Sequence, residues 1–459
     1  MRKVDWQRVE RVSVLGLGKS GLSAVRFLQH YLGDRIARQE LILEAFETRS
    51  ASPGVEAARQ LLGKQRVVTR QWQLEDTLAA DVLVVSPGID LRQPAIKAAQ
   101  DAGVRVIGDV ELFAQQVQRP VVAITGSNGK STVTRMVEYL ARQQGIKALA
   151  AGNIGLPVLE ALQQQEKQEL QLYVLELSSF QLETLESLQP VAATVLNISP
   201  DHQDRYYRLT DYIAAKKRIY RNAELCVLNR QETMYWPTQQ APALTFGPDQ
   251  SDADFGIQRR GEETWITYQS EPILAAHQLA LQGIHNLLNV QAALALALAV
   301  GVPVAAGAGY IREFEGLPHR CQLVTERLGV KWVNDSKATN IGATEAAIKG
   351  LRPLVNGRLI LIAGGVGKGA DFSTLQPSLK QVDGLITIGE DGALIGQYVN
   401  GSRHAGDLQQ AVALADQLTE SGDLVLLSPA CASFDQFDDF EHRGLCFSRA
   451  VEGLYEQSA

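Results

Sequence analysis

The stretch AITGSNGKSTVTRMVEYL, residues 123–140, places a lysine and a serine directly after a glycine turn. Backbone N–H groups of such a turn face an anion, and the dipole of the following helix also favours negative charge. Lys130 can add a mobile cation for β- and γ-phosphates, and the Ser131 hydroxyl can ligate Mg²⁺. Ile124 stands where the usual phosphate-binding loop has a glycine, so the loop is a shortened type. The alternative is a plain turn between a strand and a helix.

A second glycine motif, GLGKSG, contains Gly16, Gly18 and Gly21 and follows the apolar run Val12–Leu15. Glycines at this spacing allow a diphosphate to approach the start of a helix. Glu47 follows at the predicted end of the next strand. These features fit an NAD site, a UDP-type diphosphate site or a simple tight turn, and the motif alone does not separate the three.

Two apolar runs in the middle of the chain end in side chains that can bind a metal. YVLELSSFQLE has Glu176 at the end of its run, and TVLNISPDHQDRY has Asp201, His202, Asp204 and Arg205 beyond its run. Enzymes with α/β folds place ligands at the carboxyl ends of parallel strands. We therefore predict that Glu176 and His202 bind Mg²⁺ directly or through water, with a solvated acidic turn as the alternative for PDHQDRY.

Two further motifs lie in predicted helices. AAKKRIY presents Lys216, Lys217 and Arg218, which by themselves indicate no more than a solvated basic face. HNLLN places Asn286 and Asn289 three residues apart on one helical face, near the start of the helix. Amides at these positions can read the edge of a base or cap the helix.

Polar side chains also follow three apolar runs in the last third of the chain. They are Asp335, Lys337, Thr339 and Asn340 in VNDSKATN, Lys368 in the glycine loop AGGVGKGADF, and Ser433 in SPACASFDQF. Three such loops at strand ends predict a second substrate pocket. No serine, histidine and acid combination lies in a nucleophile-elbow context, which argues against covalent hydrolase chemistry.

The elements that must position these residues alternate short β-type runs with helical runs. This alternation is typical of α/β folds with mainly parallel sheets. Three strand–glycine–helix starts, near Arg11, Val121 and Arg358, are widely separated in a chain of 459 residues. They predict three domains, with boundaries near Gly108 and Gly316.

Composition bounds the functional class. The net charge of −7 argues against a general nucleic-acid binder, and four scattered cysteines without a CxxC pair favour a reduced, cytoplasmic protein. The charged start MRKVDWQRVE lacks the apolar core of a secretion signal. The alanine-rich stretch 292–310 is interrupted by Gly301 and Pro303, which favours a buried helix followed by a loop over a membrane span.

Together the motifs resemble the Mur ligase family of ATP-dependent amide-bond-forming enzymes of peptidoglycan precursor synthesis, in order and along essentially the whole chain. The motifs that carry the resemblance are GSNGKST, GNIGLP, LELSSFQLE, DHQDRY, AAKKRIY, HNLLN, GLPHR, NDSKATN and SPACASFDQF. The resemblance implies a Rossmann-like domain for a UDP precursor at 1–108, a central P-loop ATPase domain at 109–316 and a Rossmann-like domain for the acceptor amino acid at 317–459. Within the family, the motifs are most similar to members that join D-glutamate to a UDP-linked muramoyl-alanine acid through an acyl phosphate.

The resemblance also implies roles for individual residues. ATP is expected at Gly126, Ser127, Asn128, Gly129, Lys130, Ser131, Thr132, Asn286, Asn289, Arg320 and Asp335. The UDP precursor is expected at Gly18, Lys19, Ser20, Glu47, Thr48, Arg49, Ser86, Pro87, Asn153 and His202. D-glutamate is expected at Lys337, Thr339, Lys368, Ser433, Phe434 and Phe440. Two Mg²⁺ ions are expected at Ser131, Glu176, His202 and Lys216, with Lys216 at the position of the family's carbamylated lysine. The expected catalytic residues are Lys130, His202, Lys216 and Arg320.

Two positions depart from the family pattern, Glu47 and Val366, where aspartates are familiar. Other interpretations are a nicotinamide oxidoreductase, supported only by GLGKSG, and a P-loop nucleotide switch that acts through a partner. A relative that adds another amino acid, or that extends folate with glutamate, is a further alternative. The expected protein is a cytoplasmic monomer acting on small molecules, without a nucleic-acid partner or a membrane span.

Overall fold

The structure is a computed structural model that describes residues 3–49, 52–165, 169–203, 205–238, 241–261, 263–281 and 283–456. Asp204 of the PDHQDRY motif lies outside these residues. Four sheets follow one another along the described chain. None of the helices in these ranges is long and apolar enough to cross a membrane.

The first sheet is built from five parallel strands. They are β1 (Arg11–Leu15), β2 (Ile42–Phe46), β3 (Val67–Val68), β4 (Val82–Val85) and β5 (Arg105–Ile107). The helices of this part are α1 (Lys19–Tyr31), α2 (Gly33–Ala37), α3 (Pro53–Leu62), α4 (Leu74–Leu78), α5 (Pro94–Asp101) and α6 (Asp109–Gln116). The strand order is β3-β2-β1-β4-β5. The order reverses beside β1, so the GLGKSG loop after β1 lies at the crevice where such sheets bind ligands.

The central sheet has six parallel strands. They are β6 (Val121–Thr125), β7 (Ala148–Gly152), β8 (Leu172–Glu176), β9 (Ala192–Val195), β10 (Cys226–Asn229) and β11 (Ala243–Phe246), in the order β11-β10-β9-β6-β8-β7. The helices are α7 (Lys130–Gln143), α8 (Val158–Gln163), α9 (Ser179–Glu183), α10 (Leu209–Lys217), α11 (Ile284–Leu298) and α12 (Val304–Tyr310).

The predicted strand–loop–helix unit at the glycine turn is confirmed. Every residue of β6 is buried, as expected for an interior parallel strand with an uninterrupted apolar sequence. On α7 the apolar side chains at helical spacing are buried: Val133, Met136, Val137, Leu140 and Ala141. The loop between them therefore has both of its ends fixed in the core.

Two features of the central part differ from the prediction. A small antiparallel sheet, β12 (Phe255–Arg260), β13 (Glu263–Tyr268) and β14 (Glu271–Ala275), follows β11 and was not expected. Its strands are half exposed, so their apolar pattern is weak. In the stretch 292–310, the expected loop occupies only residues 299–303, because α12 begins after Pro303, which is the N-cap residue.

The last sheet has six strands, of which one edge strand is antiparallel. The strands are β15 (Gln322–Arg327), β16 (Val330–Asn334), β17 (Leu359–Gly364), β18 (Gly384–Ile388), β19 (Arg403–His404) and β20 (Leu424–Leu427), in the order β15-β16-β20-β17-β18-β19. The helices are α13 (Ile341–Leu351), α14 (Gln376–Leu379), α15 (Gly392–Gly396), α16 (Leu408–Leu418) and α17 (Phe440–Glu456).

Apolar packing joins the first two sheets. A single hydrophobic core contains Val14 of β1, Phe113 of α6 and Tyr173 of β8. The ring centroids of Phe113 and Tyr173 are 5.1 Å apart, edge to face. The last sheet has its own two cores, one around Trp332 and one around Leu361. The first two parts of the chain therefore share one hydrophobic core, whereas the last part packs around cores of its own.

We predict that Gly21→Ala destabilises the first sheet. A Cβ atom at this position would lie 1.8 Å from the carbonyl oxygen of Gly16, so the loop and α1 would have to separate. Overpacking of this kind costs about 1–3 kcal/mol. Gly18→Ala is the matched control, because a Cβ atom there meets nothing within 4 Å. Urea unfolding followed by circular dichroism should show a lower midpoint for the first variant only; equal midpoints would contradict the packing role of Gly21.

Candidate functional site

The glycine turn after β6 is held by its own lysine and by the neighbouring loop. Lys130 Nζ donates hydrogen bonds to the carbonyl oxygens of Gly126 and Ser127, both at 2.8 Å. The backbone N–H of Asn128 donates to Asn197 Oδ1 at 2.9 Å. Gly129 has φ +81°, and a Cβ atom there would lie 2.6 Å from Asn289 Oδ1, so glycine is required. This turn is preformed with its lysine folded over it.

Lys216 lies behind the same turn. It is only 1% exposed on α10, and its Nζ donates to the Gly126 carbonyl oxygen at 2.9 Å and to Thr125 Oγ1 at 3.3 Å. The interpretation of AAKKRIY as a solvated basic face is therefore wrong for Lys216. Burial, reinforced by the nearby charge of Lys130, holds the pKa of Lys216 well below its usual value. The neutral amine is the form favoured at this position.

Glu176 is placed opposite the turn by the pairing of its strand with β6, where it lies in register with Ile124. Its Oε1 accepts a hydrogen bond from Asn153 Nδ2 at 2.8 Å, whereas Oε2 is buried without a hydrogen-bond partner. Burial opposes ionisation of Glu176, but the charge of Lys130, together with hydrogen bonds from Ser131 and Asn153 and the charge of Lys337, holds the pKa below its usual value. A buried, ionised carboxylate fits a hard cation such as Mg²⁺.

No group of three histidine, cysteine, aspartate or glutamate side chains able to hold a metal occurs in the described ranges. Mg²⁺ commonly binds through one or two carboxylates together with substrate phosphates and water, a mode that Glu176 could serve.

The loop after β9 carries Asp201 and His202. His202 has φ +53°, and its ring lies 4.8 Å from the ring of Phe180, centroid to centroid. Burial opposes ionisation of Asp201, but the ammonium of Lys368, together with the charge and backbone N–H of His202, outweighs burial and lowers the pKa to about 2. Lys368 Nζ lies 2.9 Å from Asp201 Oδ1. This ion pair connects the central part to the glycine loop after β17.

The first cavity has a volume of about 1170 Å³ and lies between the first sheet and the glycine turn. Nine of the ten residues predicted to bind the UDP precursor line it: Gly18, Lys19, Ser20, Glu47, Thr48, Arg49, Ser86, Pro87 and Asn153. His202, the tenth, lines the second cavity instead. Trp72 and Arg135 also line the first cavity and were not predicted, because Trp72 lies outside the quoted motifs and Arg135 lies on α7 beyond the glycine turn.

Glu47 is bound to its own chain. Its Oε2 accepts a hydrogen bond from the backbone N–H of Leu17 at 2.9 Å, and its Oε1 accepts one from that of Arg49 at 3.1 Å. Burial opposes ionisation, but these backbone donors and the Arg49 charge hold the pKa of Glu47 below its usual value. This carboxylate therefore orders the loop that carries Glu47, Thr48 and Arg49, three of the residues predicted to bind the UDP precursor.

The second cavity has a volume of about 570 Å³ and lies between the glycine turn and the last sheet. It is lined by most residues of the predicted ATP and D-glutamate sets: Ser127, Asn128, Gly129, Lys130, Ser131, Thr132, Asn286, Asn289, Arg320, Asp335, Lys337, Thr339, Lys368, Ser433, Phe434 and Phe440. Glu176 and His202 line it too. Gly126 does not belong to the lining and contributes its carbonyl to the two lysines.

The two asparagines of HNLLN face this cavity near the start of α11. The N-cap residue is Gly283, so neither amide occupies the capping position. Asn289 Nδ2 donates to Asn286 Oδ1 at 3.3 Å, which orients the pair.

Residues of the last part complete the second cavity. Burial lowers the pKa of Arg320, and burial with the nearby Arg320 charge lowers that of Lys337 to about 8. Lys337 Nζ lies 3.6 Å from the centre of the Phe440 ring. Burial raises the pKa of Asp335 to about 6, although Ser428 Oγ donates a hydrogen bond to its Oδ2 at 2.8 Å.

The loop with Lys368 is fixed although Val366 replaces an aspartate. Asp391 Oδ2 accepts a hydrogen bond from the Gly367 N–H at 2.7 Å. Asp391 comes from the segment after β18, far away in sequence, so no local signal identified it.

Arg205 connects the site to the first part of the chain. Its guanidinium forms an ion pair with Glu183, lies 3.8 Å from Asp90 and stands 5.1 Å from the centre of the Phe180 ring. Because Phe180 also contacts His202, this cluster holds the His202 loop against the segment after Ser86. The sequence contained Arg205 in DHQDRY, but its partners are distant in sequence.

Known protein families match this chain in three successive segments, one for each part of the fold. The family models described as "Mur ligase MurD-like, N-terminal domain", "Mur ligase middle domain" and "Mur ligase, glutamate ligase domain" match residues 10–108, 124–297 and 319–431. Solved structures share the fold at low identity. A UDP-N-acetylmuramate-alanine ligase from Thermotoga maritima has a TM-score of 0.60 at 16% identity and covers 98% of this chain and 100% of its own. A MurF ligase from Thermotoga maritima in complex with ADP has a TM-score of 0.60 at 15% identity, with 100% and 98% covered.

Curated relatives are much closer in sequence. Proteins called UDP-N-acetylmuramoylalanine--D-glutamate ligase include one from Idiomarina loihiensis, 54% identical with both chains covered completely. Another, from Escherichia coli K12, is 44% identical and covers 97% of this chain and 98% of its own. Such identity along the whole length, over a shared three-part fold, shows that the chain belongs to the Mur ligase family.

Proposed function

We propose that the protein is an ATP-dependent ligase that joins D-glutamate to UDP-N-acetylmuramoyl-L-alanine and releases ADP and phosphate. The observation that carries the proposal is the meeting of the two cavities: Ser131, Arg320 and Lys337 line both of them. A UDP-linked acid in the first cavity and a nucleotide in the second would therefore meet at a border rich in positive charge. The names of the curated relatives support this substrate pair.

The proposal assigns each ligand to one part of the chain. Residues 1–108 would bind the UDP precursor, 109–316 ATP and 317–459 D-glutamate. The residue sets are those expected from the sequence, and their grouping along the two cavities supports them. The protein would act in the cytoplasm as a monomer.

In the first step, the alanyl carboxylate attacks the γ-phosphorus of ATP. The bond from the γ-phosphorus to the oxygen that bridges it to the β-phosphate breaks, so that ADP departs and an acyl phosphate is formed. Both reactants are anionic, so their approach has to be offset by cations. One unlike pair at about 4 Å contributes roughly 4 kcal/mol at an intermediate dielectric constant. Lys130 and Arg320, which line the second cavity, would supply this attraction, and the preformed turn would orient the phosphates without reorganisation.

Mg²⁺ bound to the phosphates would supply further positive charge to the transferred group. We propose that Ser131, Glu176, His202 and Lys216 hold two such ions. Lys216 would serve as a carbamate, formed when its neutral amine attacks CO₂ and releases a proton. The depressed pKa and burial of this lysine favour the amine that carbamylation needs.

In the second step, the amine of D-glutamate attacks the acyl carbon, and phosphate departs. Lys337, Thr339, Lys368, Ser433, Phe434 and Phe440 would hold the amino acid. Lys368 forms an ion pair with Asp201 in this structure. A carboxylate of D-glutamate would therefore either share the Lys368 ammonium with Asp201 or replace Asp201 as its partner.

The proposed activity predicts that phosphate is released only when ATP, UDP-N-acetylmuramoyl-L-alanine and D-glutamate are all present. Phosphate release should be measured across a panel of D- and L-amino acids, with NAD(P)H binding tested separately. Preference for another amino acid would indicate that the protein carries out the reaction of a different member of the family. Hydrolysis of ATP that needs neither co-substrate would instead indicate a nucleotide switch.

Lys130→Ala is expected to lower ADP formation by more than about 100-fold, as expected when a preorganised donor to the transition state is lost. Binding of the UDP precursor, measured by calorimetry, should change little. Lys147→Ala is the control, because its exposed ammonium pairs with Glu169 away from both cavities. Normal turnover by the Lys130 variant would show that the turn is not the phosphate site.

Lys216→Ala should be inactive and partly rescued by short carboxylates such as acetate or formate, which can occupy the space of a carbamate. Lys217→Ala, one residue along the helix, should retain near wild-type activity because the side chain of Lys217 is only half-buried, whereas that of Lys216 is buried against the turn. Lack of rescue, combined with an unmodified Lys216 in mass spectra recorded under CO₂, would refute the carbamate.

A further inference from the structure

The border between the two cavities is dominated by cations. Among the described residues that line both cavities, Lys19, Arg320 and Lys337 are positively charged. Glu441 is the one carboxylate in this group. We propose that Glu441 is the general base that removes a proton from the amine of the incoming amino acid. This inference rests on the proposed ligase function and extends it.

Glu441 is positioned by the start of α17, directly after Phe440. Lys337, whose ammonium lies over the Phe440 ring at 3.6 Å, belongs to the segment after β16. The charges of Lys337 and Arg320 both act on Glu441, so its carboxylate lies beside the groups assigned to the acyl phosphate and the amino acid. Its side chain is also accessible, as a group that must meet a diffusing substrate has to be.

The other acidic side chains of the second cavity are already engaged. Glu176 is bound to Asn153 and belongs to the proposed metal site. Asp201 pairs with Lys368 and accepts a hydrogen bond from Asn340, and its pKa of about 2 makes it a poor base. Asp335 accepts hydrogen bonds from Ser428 and from the Cys321 N–H. Asp439 accepts a hydrogen bond from the His442 N–H at 2.8 Å. Glu441 interacts with the neighbouring Asp439 and lines both cavities, where the two reactants are proposed to meet.

The chemistry requires a base because an amino acid enters as an ammonium ion, which has no lone pair for attack. In the proposed step, Glu441 takes one proton, and the freed nitrogen lone pair forms the C–N bond to the acyl carbon. The C–O bond to the phosphoryl group then breaks, and its electron pair stays on the phosphate oxygen. The departing phosphate takes the second proton from nitrogen, so amide, hydrogen phosphate and protonated Glu441 result.

The surroundings of Glu441 bring its proton affinity closer to that of the amine. Burial raises its pKa, Lys337 opposes this shift, and Asp439 on the same segment reinforces it. Arg320 also faces it, and Lys19 approaches from the first part of the chain. A carboxylate with a raised pKa is a stronger base, provided that the pH stays above that pKa. The amide-forming step should therefore slow as the pH falls through the pKa of Glu441.

The test compares the full-length wild type with Glu441→Gln and Glu441→Asp under single-turnover conditions. ADP formation reports the first step, and amide formation with D-glutamate reports the second. Hydroxylamine, which is largely neutral at the assay pH, reports capture of the acyl phosphate by an amine that needs no base. Glu452→Gln is the matched control, since it removes an exposed carboxylate from the same helix.

For Glu441→Gln we expect at least about a 100-fold loss in the rate of amide formation, within the range of general-base contributions. ADP formation and hydroxamate formation should stay near wild type, as should the KM for D-glutamate. In the pH range where the wild-type rate of amide formation is constant, the rate for Glu441→Gln should rise steadily with pH. Glu441→Asp should retain part of the wild-type rate of amide formation.

Each other result has a separate meaning. Amide formation at the wild-type rate by Glu441→Gln would overturn the inference and assign the proton to the phosphate or to another group. An equal loss with hydroxylamine, or a raised KM alone, would also overturn it by indicating a structural role. A wild type that forms neither amide nor hydroxamate would instead refute the proposed function itself.

Discussion

Positive charge is concentrated and buried around one glycine turn, although the chain carries a net charge of −7. Lys130, Lys216, Arg320 and Lys337 all have pKa values lowered first by burial. Burial disfavours the charged form of each of these groups, so nearby anions would stabilise them. A polyphosphate and a second anionic substrate would relieve this cost. Among the described residues that line both cavities, the cations Lys19, Arg320 and Lys337 outnumber the carboxylate of Glu441, which explains how an acidic protein can bring two anions together.

The fold supports this arrangement by aligning the carboxyl ends of parallel strands. Glu176 ends β8 directly beside β6, which leads into the turn, and His202 follows β9 on the other side of β6. The first and central sheets share a hydrophobic core, which keeps the first cavity fixed relative to the turn. The last sheet has separate cores, and it meets the central part through polar groups such as Lys368 and Asp201. Polar contacts exchange more easily than apolar packing, which suits a site that has to open for its substrates.

Much of this site was predictable because its motifs are local. GSNGKST, LELSSFQLE and DHQDRY each combine an apolar run with polar residues at its end, and strand ends in α/β proteins are where ligands bind. Lys216 shows the limit of such reasoning. AAKKRIY as a helix fitted a solvated face, and only the family resemblance suggested otherwise. Its burial depends on how α10 packs behind the turn, and helical periodicity alone does not reveal that packing.

The sequence by itself determined the class of fold, the glycine turn between β6 and α7, and the family, since these depend on residue types at short spacing. Tertiary structure decided which distant groups meet. It placed Asp391 against the Gly367 backbone, Arg205 against Asp90, and Glu441 at the border of the two cavities. Each of these arrangements brings together residues from different elements. The distance between those residues is set by the packing of whole sheets and helices. No local pattern encodes that packing, so these contacts became visible only in the folded chain.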